Sequence, residues 1–408
     1  MTPGGERPRA EACVDLAAIR HNVGLLSAFA ARSGAATMTV VKAQGYGHGA
    51  VAVGRAALAA GASWLGVCTM GEALELRAGG ISAPILSWLD LPVDDVSPAV
   101  AGNVDLSVAS VRQLASVRRA AEVANRAARI HLKIDTGLSR NGCPSADWPE
   151  LVDAAAKAAA DGAVEVVAVW SHLAHADQPD HPTLDRQAAR LDTAFRIATE
   201  AGLRPIRHLA NSAATMTRPD LHYDLVRPGI ASYGLDPIGP PPSEFGLRPA
   251  MTFRTRVALV KRVPAGEGVS YGHEWTTPNE TTLALLPVGY ADGVPRRLGS
   301  RPSGVGGMRA LVAGQVYPVV GRVCMDQIMV DCGPDADLSA VAEGAEAVLF
   351  GPGDRGEPTA QDWADALGTI HYEIVTGLRV GRVSRTVADS ADLGTGRDQA
   401  MKLREETG

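Results

Sequence analysis

The chain has 408 residues, 46% of them hydrophobic and 21% charged, with a formal net charge of −6. That length suggests two domains, and the composition is ordinary for a soluble globular protein. The acidic balance offers no basic stripe for nucleic acid or an anionic membrane surface.

The opening stretch, "MTPGGERPRAEACVDLAAIRHN", contains no apolar core of signal-peptide length. The alanine-rich region from Leu151 to Trp170 is interrupted by Asp153, Lys157, Asp161 and Glu165, so no membrane span is expected. A cytoplasmic protein is the expectation. The five scattered cysteines, Cys13, Cys68, Cys143, Cys324 and Cys332, form no C-x-x-C pair. They predict reduced thiols, with no disulfide frame and no metal site.

Short β-branched runs then recur, each followed by a longer segment with helical spacing. The predicted strands are "TMTVVK" (37–42), "WLGV" (64–67), "PILS" (84–87), "VDLSV" (104–108), "IHLKID" (130–135), "VEVVAVW" (164–170), "IRHLA" (206–210) and "DLVRP" (224–228). Eight strand–helix units in about 230 residues match a (β/α)₈ barrel. A doubly wound open sheet is the competing architecture, but no G-x-G-x-x-G follows the first strand. The proline-rich "LDPIGPPPSEFG" (235–246) reads as a linker. Beyond it, glycine-separated strands with one helix after Thr359 predict a mainly β domain. The expected division is a barrel over 1–240, a mainly β domain over 241–386 and a disordered tail over 387–408.

In a barrel of this type, chemistry sits where the strands end. Strand 1 ends at Lys42. Strand 5 carries Lys133 and Asp135 and runs into a loop with Arg140. Strand 6 leads to His172. Strand 7 ends at Asn211 and Ser212, and strand 8 at Arg227, Gly229 and Ile230. Singly, each has an ordinary explanation as a solvated lysine, a lining ion pair, a structural histidine or a cap. Together they put polar groups from five strands on one rim. The loops after strands 7 and 8 are the usual phosphate site of the fold, and a phosphate with a lysine across the barrel mouth points to pyridoxal phosphate (PLP) bound to Lys42 as a Schiff base.

With those residues in hand, the sequence resembles the alanine racemase family of fold-type III PLP enzymes over about Cys13 to Arg385. "VVKAQGYGHG" resembles the family's PLP-lysine motif, which implies Lys42 as the cofactor lysine and Tyr46 as a phosphate contact. "HLKIDTGLSRNG" is similar to the segment bearing a carboxylated lysine and an arginine at the cofactor's phenolic oxygen, hence Lys133 and Arg140. "NSAA" and "VRPGIASYG" match the phosphate segments, with Ser212, Gly229 and Ile230, while Arg227 corresponds to the arginine facing the pyridine nitrogen. "GVSYGHEW" implies Tyr271 as the second acid–base group. "VGYADGVPR" implies Tyr290 at the substrate entrance, "GRVCMDQIMVD" implies Met325 at the substrate carboxylate and Asp326 at the entrance, and "HYEIV" implies Tyr372 at the phosphate.

The resemblance further implies a homodimer with sites at the subunit interface. It also implies a two-base racemisation of L- and D-alanine that supplies D-alanine for peptidoglycan. Gln44, Gly45 and His371 differ from the family's usual residues. A broader-specificity or serine racemase, a decarboxylase of the same fold and a non-catalytic PLP-binding protein are the alternatives. The last usually lacks a second domain.

Overall fold

In a computed structural model, residues 8–239, 245–299 and 307–389 are described. The chain divides into two compact units, one of residues 18–248 and one that joins residues 1–17 to 249–408. Strand β1 (Ala10–Asp15) therefore does not belong with the barrel, as a division at residue 240 had it. It lies between β10 (Met251–Arg256), to which it runs antiparallel, and the C-terminal strand Ser384–Ala388, to which it runs parallel. The reason is edge pairing: the N-terminal segment fills the gap between two strands that would otherwise expose unpaired backbone. That last strand also carries order to Ala388, past the expected end of the domain at 386. The expected tail from residue 390 lies outside the described residues, as does part of the linker, 240–244.

The larger unit is a parallel barrel of β2 (Ala36–Val40), β3 (Trp64–Val67), β4 (Ile85–Ser87), β5 (Asp105–Val108), β6 (Ala128–Lys133), β7 (Val164–Trp170), β8 (Ile206–His208) and β9 (Leu225–Val226). Neighbours pair in sequence order from β2 to β8, and β9 pairs back to β2. Asp224 N to Arg207 O (3.1 Å) and Arg227 N to Ala210 O (2.9 Å) bridge the seam between β8 and β9. The strands read as nearly continuous apolar runs because both faces are covered, by side chains inside and helices outside. Thr69 and Ser110 cap the helices Met70–Ala78 and Val111–Ala124 through their side-chain oxygens.

In the smaller unit the other strands are β11 (Leu259–Val263), β12 (Gly268–Val269), β13 (Trp275–Thr276), β14 (Thr281–Leu286), β15 (Arg309–Val312), β16 (Gln315–Val320), β17 (Ile328–Gly333), β18 (Glu346–Phe350) and β19 (Ser384–Ala388). Nine of the described strands form one sheet in the order β11-β14-β17-β16-β15-β18-β10-β1-β19. Phe253, Phe350 and Trp363 pack as an aromatic core, with ring centroids 5.2–6.4 Å apart. Trp363 comes from the helix Ala360–Leu367, which Thr359 starts with a capping box to Asp362. A second short helix, His371–Thr376, was not legible in the sequence. Among the described residues, no helix is long and apolar enough to cross a membrane.

Candidate active site

Strand β2 ends at Val40, and Lys42 opens a turn of unusual hand. Ala43 (φ 52, ψ 51), Gln44 (φ 56, ψ 42), Gly45 (φ 62, ψ 50) and Tyr46 (φ 50) all lie in the left-handed region. For each non-glycine residue this costs roughly 1–2 kcal/mol, so the surroundings must impose it. Glu72 Oε1 accepts from Ala43 N at 2.7 Å, and Gln44 Nε2 donates to Glu75 Oε2 at 2.7 Å. Backbone bonds from Gly45 N to Val41 O (2.8 Å) and Gly47 N to Ala43 O (2.9 Å) close the turn. Gln44, unusual for its position, thus has a definite partner on the neighbouring helix.

The turn leaves Lys42 half-buried at the rim, its Nζ 5.9 Å from the Trp88 ring and 6.0 Å from the Tyr46 ring. Burial pushes the amine below the usual lysine range, and the charge of Arg140 acts in the same direction. Tyr46 folds back against Tyr233, centroids 4.9 Å apart, and its hydroxyl reaches Gly229. A Cβ on Gly229 would lie 2.5 Å from Tyr46 Oη, so only glycine permits this approach. Ser212 Oγ accepts from Gly229 N (2.8 Å) and Ala231 N (3.3 Å), while Ile230 between them is fully buried. Tyr46, Ser212, Gly229 and Ile230 are therefore brought together. Asn211 is engaged differently: its side chain accepts from Ala214 N at 3.2 Å and caps the helix Ser212–Thr217.

Across the rim, Trp170 is flanked by two cations. Lys133 Nζ is 4.3 Å from its ring centroid and Arg227 Cζ 4.9 Å. Lys133 is pushed down to about 8 by burial and by the charges of Arg227, Arg140 and Lys42. Arg227, 4% exposed, is lowered to about 9 by burial, which still leaves it a cation at neutral pH. Its Nη2 donates to Ser171 O (2.9 Å), Leu209 O (3.1 Å) and His172 Nδ1 (3.3 Å). A guanidinium has no acceptor, so His172 Nδ1 accepts and its proton sits on Nε2. Burial first, then Arg227 and Arg140, hold His172 well below the usual histidine range. Asp135 does not neutralise Lys133 by direct contact; its Oδ1 accepts from Gly137 N (2.8 Å) and Ser139 N (3.1 Å) and shapes the loop that carries the exposed Arg140.

The remaining predicted residues gather on neighbouring loops of the smaller unit. Ser270, beside Tyr271, donates to Arg322 O at 2.8 Å. Tyr290 N donates to Cys324 O and Ala291 N to Met325 O, both at 3.0 Å. Gly289 makes this possible, since a Cβ there would lie 2.2 Å from Cys324 O. Arg382 joins Asp326 (2.5 Å) to the buried Asp292 (3.0 Å), and Asp292 also holds Arg9. Asp292 O in turn accepts from Arg379 N, just past the helix that carries Tyr372. Tyr271 is 71% exposed and Met325 52%. Trp88, Trp170 and His208 were missed by sequence reasoning. The only available signal was their position at or just beyond a strand end.

The family described as alanine racemase, N-terminal domain, matches residues 14–237, and alanine racemase, C-terminal domain, matches 250–387. The chain belongs to the alanine racemase family. An alanine racemase of Salinispora tropica is 57% identical over 92% of this chain and 98% of its own length. The solved alanine racemase from Streptomyces coelicolor A3(2) superposes with a TM-score of 0.88 at 51% identity, covering 94% of this chain and 98% of that one. The structure from D-cycloserine-producing Streptomyces lavendulae gives the same TM-score at 49% identity, covering 95% and 99%. Membership makes the chain an isomerase of the amino-acid racemase type, with the barrel-plus-β architecture of the family.

Proposed function

We propose that the chain racemises alanine with PLP through two bases, Lys42 and Tyr271. The observation that carries this reading is the strained turn that holds a desolvated Lys42 beside Tyr46, whose hydroxyl meets the Gly229–Ser212 cradle. The residues fit the cofactor. Lys42 would hold its aldehyde carbon. Tyr46, Ser212, Gly229, Ile230 and Tyr372, with Asn211 behind them, would hold its phosphate. Arg227, backed by His172, would meet its ring nitrogen, and Arg140 its phenolic oxygen. Bound there, PLP supplies an electron sink that acidifies the α-proton of alanine.

The chain's own groups then move that proton. Lys42 Nζ, whose pKa burial lowers from the usual lysine range, takes or returns it on one face. Tyr271 Oη acts on the other, and two opposed bases are what inversion needs. His172, neutral and with its proton on Nε2, donates toward the phenolate, and Arg227 behind it stabilises the negative charge. Arg227, a donor that stays cationic at neutral pH, would disfavour a proton on the ring nitrogen it meets, and so would favour return of the α-proton over decarboxylation. Lys133, lowered to about 8, is reactive toward CO₂; its carbamate would anchor Arg140, and a carbamate resonance from ¹³C-bicarbonate tests this. Met325, through its backbone, and Arg140 would receive the substrate carboxylate, with Tyr290 and Asp326 at the entrance.

Exposure of Tyr271 and Met325 supports assembly as a homodimer in which each barrel receives them from its partner. The D-alanine formed would serve peptidoglycan synthesis, in the cytoplasm. Borohydride reduction with peptide mapping, beside circular dichroism of L- and D-alanine incubations, tests the reading. Label on the Lys42 peptide and loss of optical activity are expected; label elsewhere, or retained optical activity, overturns it.

A further inference from the structure

Four buried polar side chains form a line through the barrel from its C-terminal rim to the opposite end. Arg227 Nη1 lies 3.0 Å from His208 Nδ1, His208 Nε2 lies 2.8 Å from His131 Nδ1, and His131 Nε2 lies 3.1 Å from Asp105 Oδ2. Asp105, His131 and His208 are fully buried. Arg227 follows β9, at the rim, whereas Asp105 is the first residue of β5, at the far end of the parallel strands. There Arg129 Nε reaches Asp105 Oδ1 at 2.8 Å, and its Nη1 reaches Glu165 at the surface, also at 2.8 Å.

Proton positions along the line follow by elimination. Arg227 can only donate, so His208 Nδ1 accepts. Burial and the charge of Arg227 keep His208 neutral, and its single proton is therefore on Nε2. That proton points at His131 Nδ1, which must accept. His131 then carries its proton on Nε2, aimed at a carboxylate. All three bonds run in one direction. An Nδ1 proton on His131 would set two N–H groups face to face inside the barrel, which is costly where no water can relieve it.

We propose that Asp105 and His131 are positioning residues for Arg227: they fix the tautomer of His208 so that its Nδ1 holds the guanidinium in one orientation. The proposal rests on the reading that Arg227 meets the cofactor ring nitrogen. The carbonyls of Ser171 and Leu209 anchor Nη2, whereas His208 anchors Nη1, so the relay sets the rotation of the guanidinium plane. Trp170 holds the pair from the side, stacked on His208 at 5.2 Å with Arg227 4.9 Å from its ring centroid.

Neutron diffraction of the PLP-loaded wild-type enzyme reads the protons directly. Deuterium on Nε2 of both His131 and His208, with none on either Nδ1, is expected; an Nδ1 deuteron on either ring overturns the proposal. As a second arm, Asp105→Asn lowers kcat about 10- to 100-fold, the range seen when the partners behind functional histidines are removed. KM for alanine and PLP stoichiometry stay unchanged. Glu165→Gln, which breaks only the exposed outer link, keeps wild-type kcat. An Asp105→Asn enzyme with wild-type kcat also overturns the proposal. Should that variant not fold, the neutron map decides alone. A wild-type enzyme that failed to racemise alanine would count against the proposed function, while the map would still test the relay.

Discussion

The barrel and the β unit hold their candidate residues in opposite ways. In the barrel, Lys42, Lys133, His172 and Arg227 are withdrawn from water, and burial is the first cause of every displaced pKa among them. Their orientations are set by side-chain partners and ring contacts and, for Arg227, also by the carbonyls of Ser171 and Leu209. In the β unit, Tyr271, Tyr290 and Met325 are 71%, 39% and 52% exposed, and the loops bearing them are fixed mainly through backbone contacts. What is buried there is the support, Asp292 between Arg9 and Arg382. One unit tunes reactive groups by excluding solvent. The other presents exposed groups on loops that the backbone holds in place, as the proposed homodimer would require.

The contrast can be broken most directly at Tyr271. Tyr271→Phe should slow racemisation by about 10²–10⁴-fold, the usual worth of a positioned acid–base group, with PLP still bound; an unchanged rate measured by circular dichroism would remove it as a base. Next is the support. Asp292→Ala removes the buried acceptor shared by Arg9, Arg382 and the Gly289 N–H and should cost about 1–3 kcal/mol in urea unfolding. Burial alone would raise the Asp292 carboxyl, but Arg9, the Gly289 N–H and Arg382 outweigh it and hold the pKa below the usual range. The stabilisation is therefore complete above the unfolded-state value near ~3.9 and is lost as pH falls through the lower folded-state value. Acid titrations of stability should accordingly be shallower in Asp292→Asn. In the barrel, Gly229→Ala forces the Tyr46 hydroxyl away and should weaken PLP binding about tenfold, or ~1.4 kcal/mol, by fluorescence titration. The smallest effect belongs to Gln44→Ala, which loses a single exposed hydrogen bond to Glu75. It should cost under about 1 kcal/mol in thermal unfolding and leave kcat within about twofold.

Much of the barrel is legible because its strands are apolar runs with regular spacing, and its site because polar residues stand at their ends. The turn after Lys42 is not. Ala43 and Gln44 carry no left-handed signal, and the glutamates that impose the conformation lie about a turn of helix apart on a different element. The relay is hidden for a related reason: Asp105, His131 and His208 stand on three different strands among other polar residues, and only barrel closure aligns them. Strand β1 went unread because its partners, Met251–Arg256 and Ser384–Ala388, lie more than half the chain away.

The position of β1 between β10 and β19 has a consequence for how the protein is made. Synthesis delivers β1 first, then the entire barrel, then β10, and β19 last among the described strands. The barrel is one continuous segment and can close while the ribosome is still working, since domains fold as units in order of emergence. The strand that leads the chain cannot. It waits with both edges unpaired until Met251–Arg256 appears, and one edge stays open until Ser384–Ala388 follows. Glu11 and Asp15, the two partly exposed residues of the strand, suit it to that wait, because charge on an open strand discourages pairing with other nascent chains.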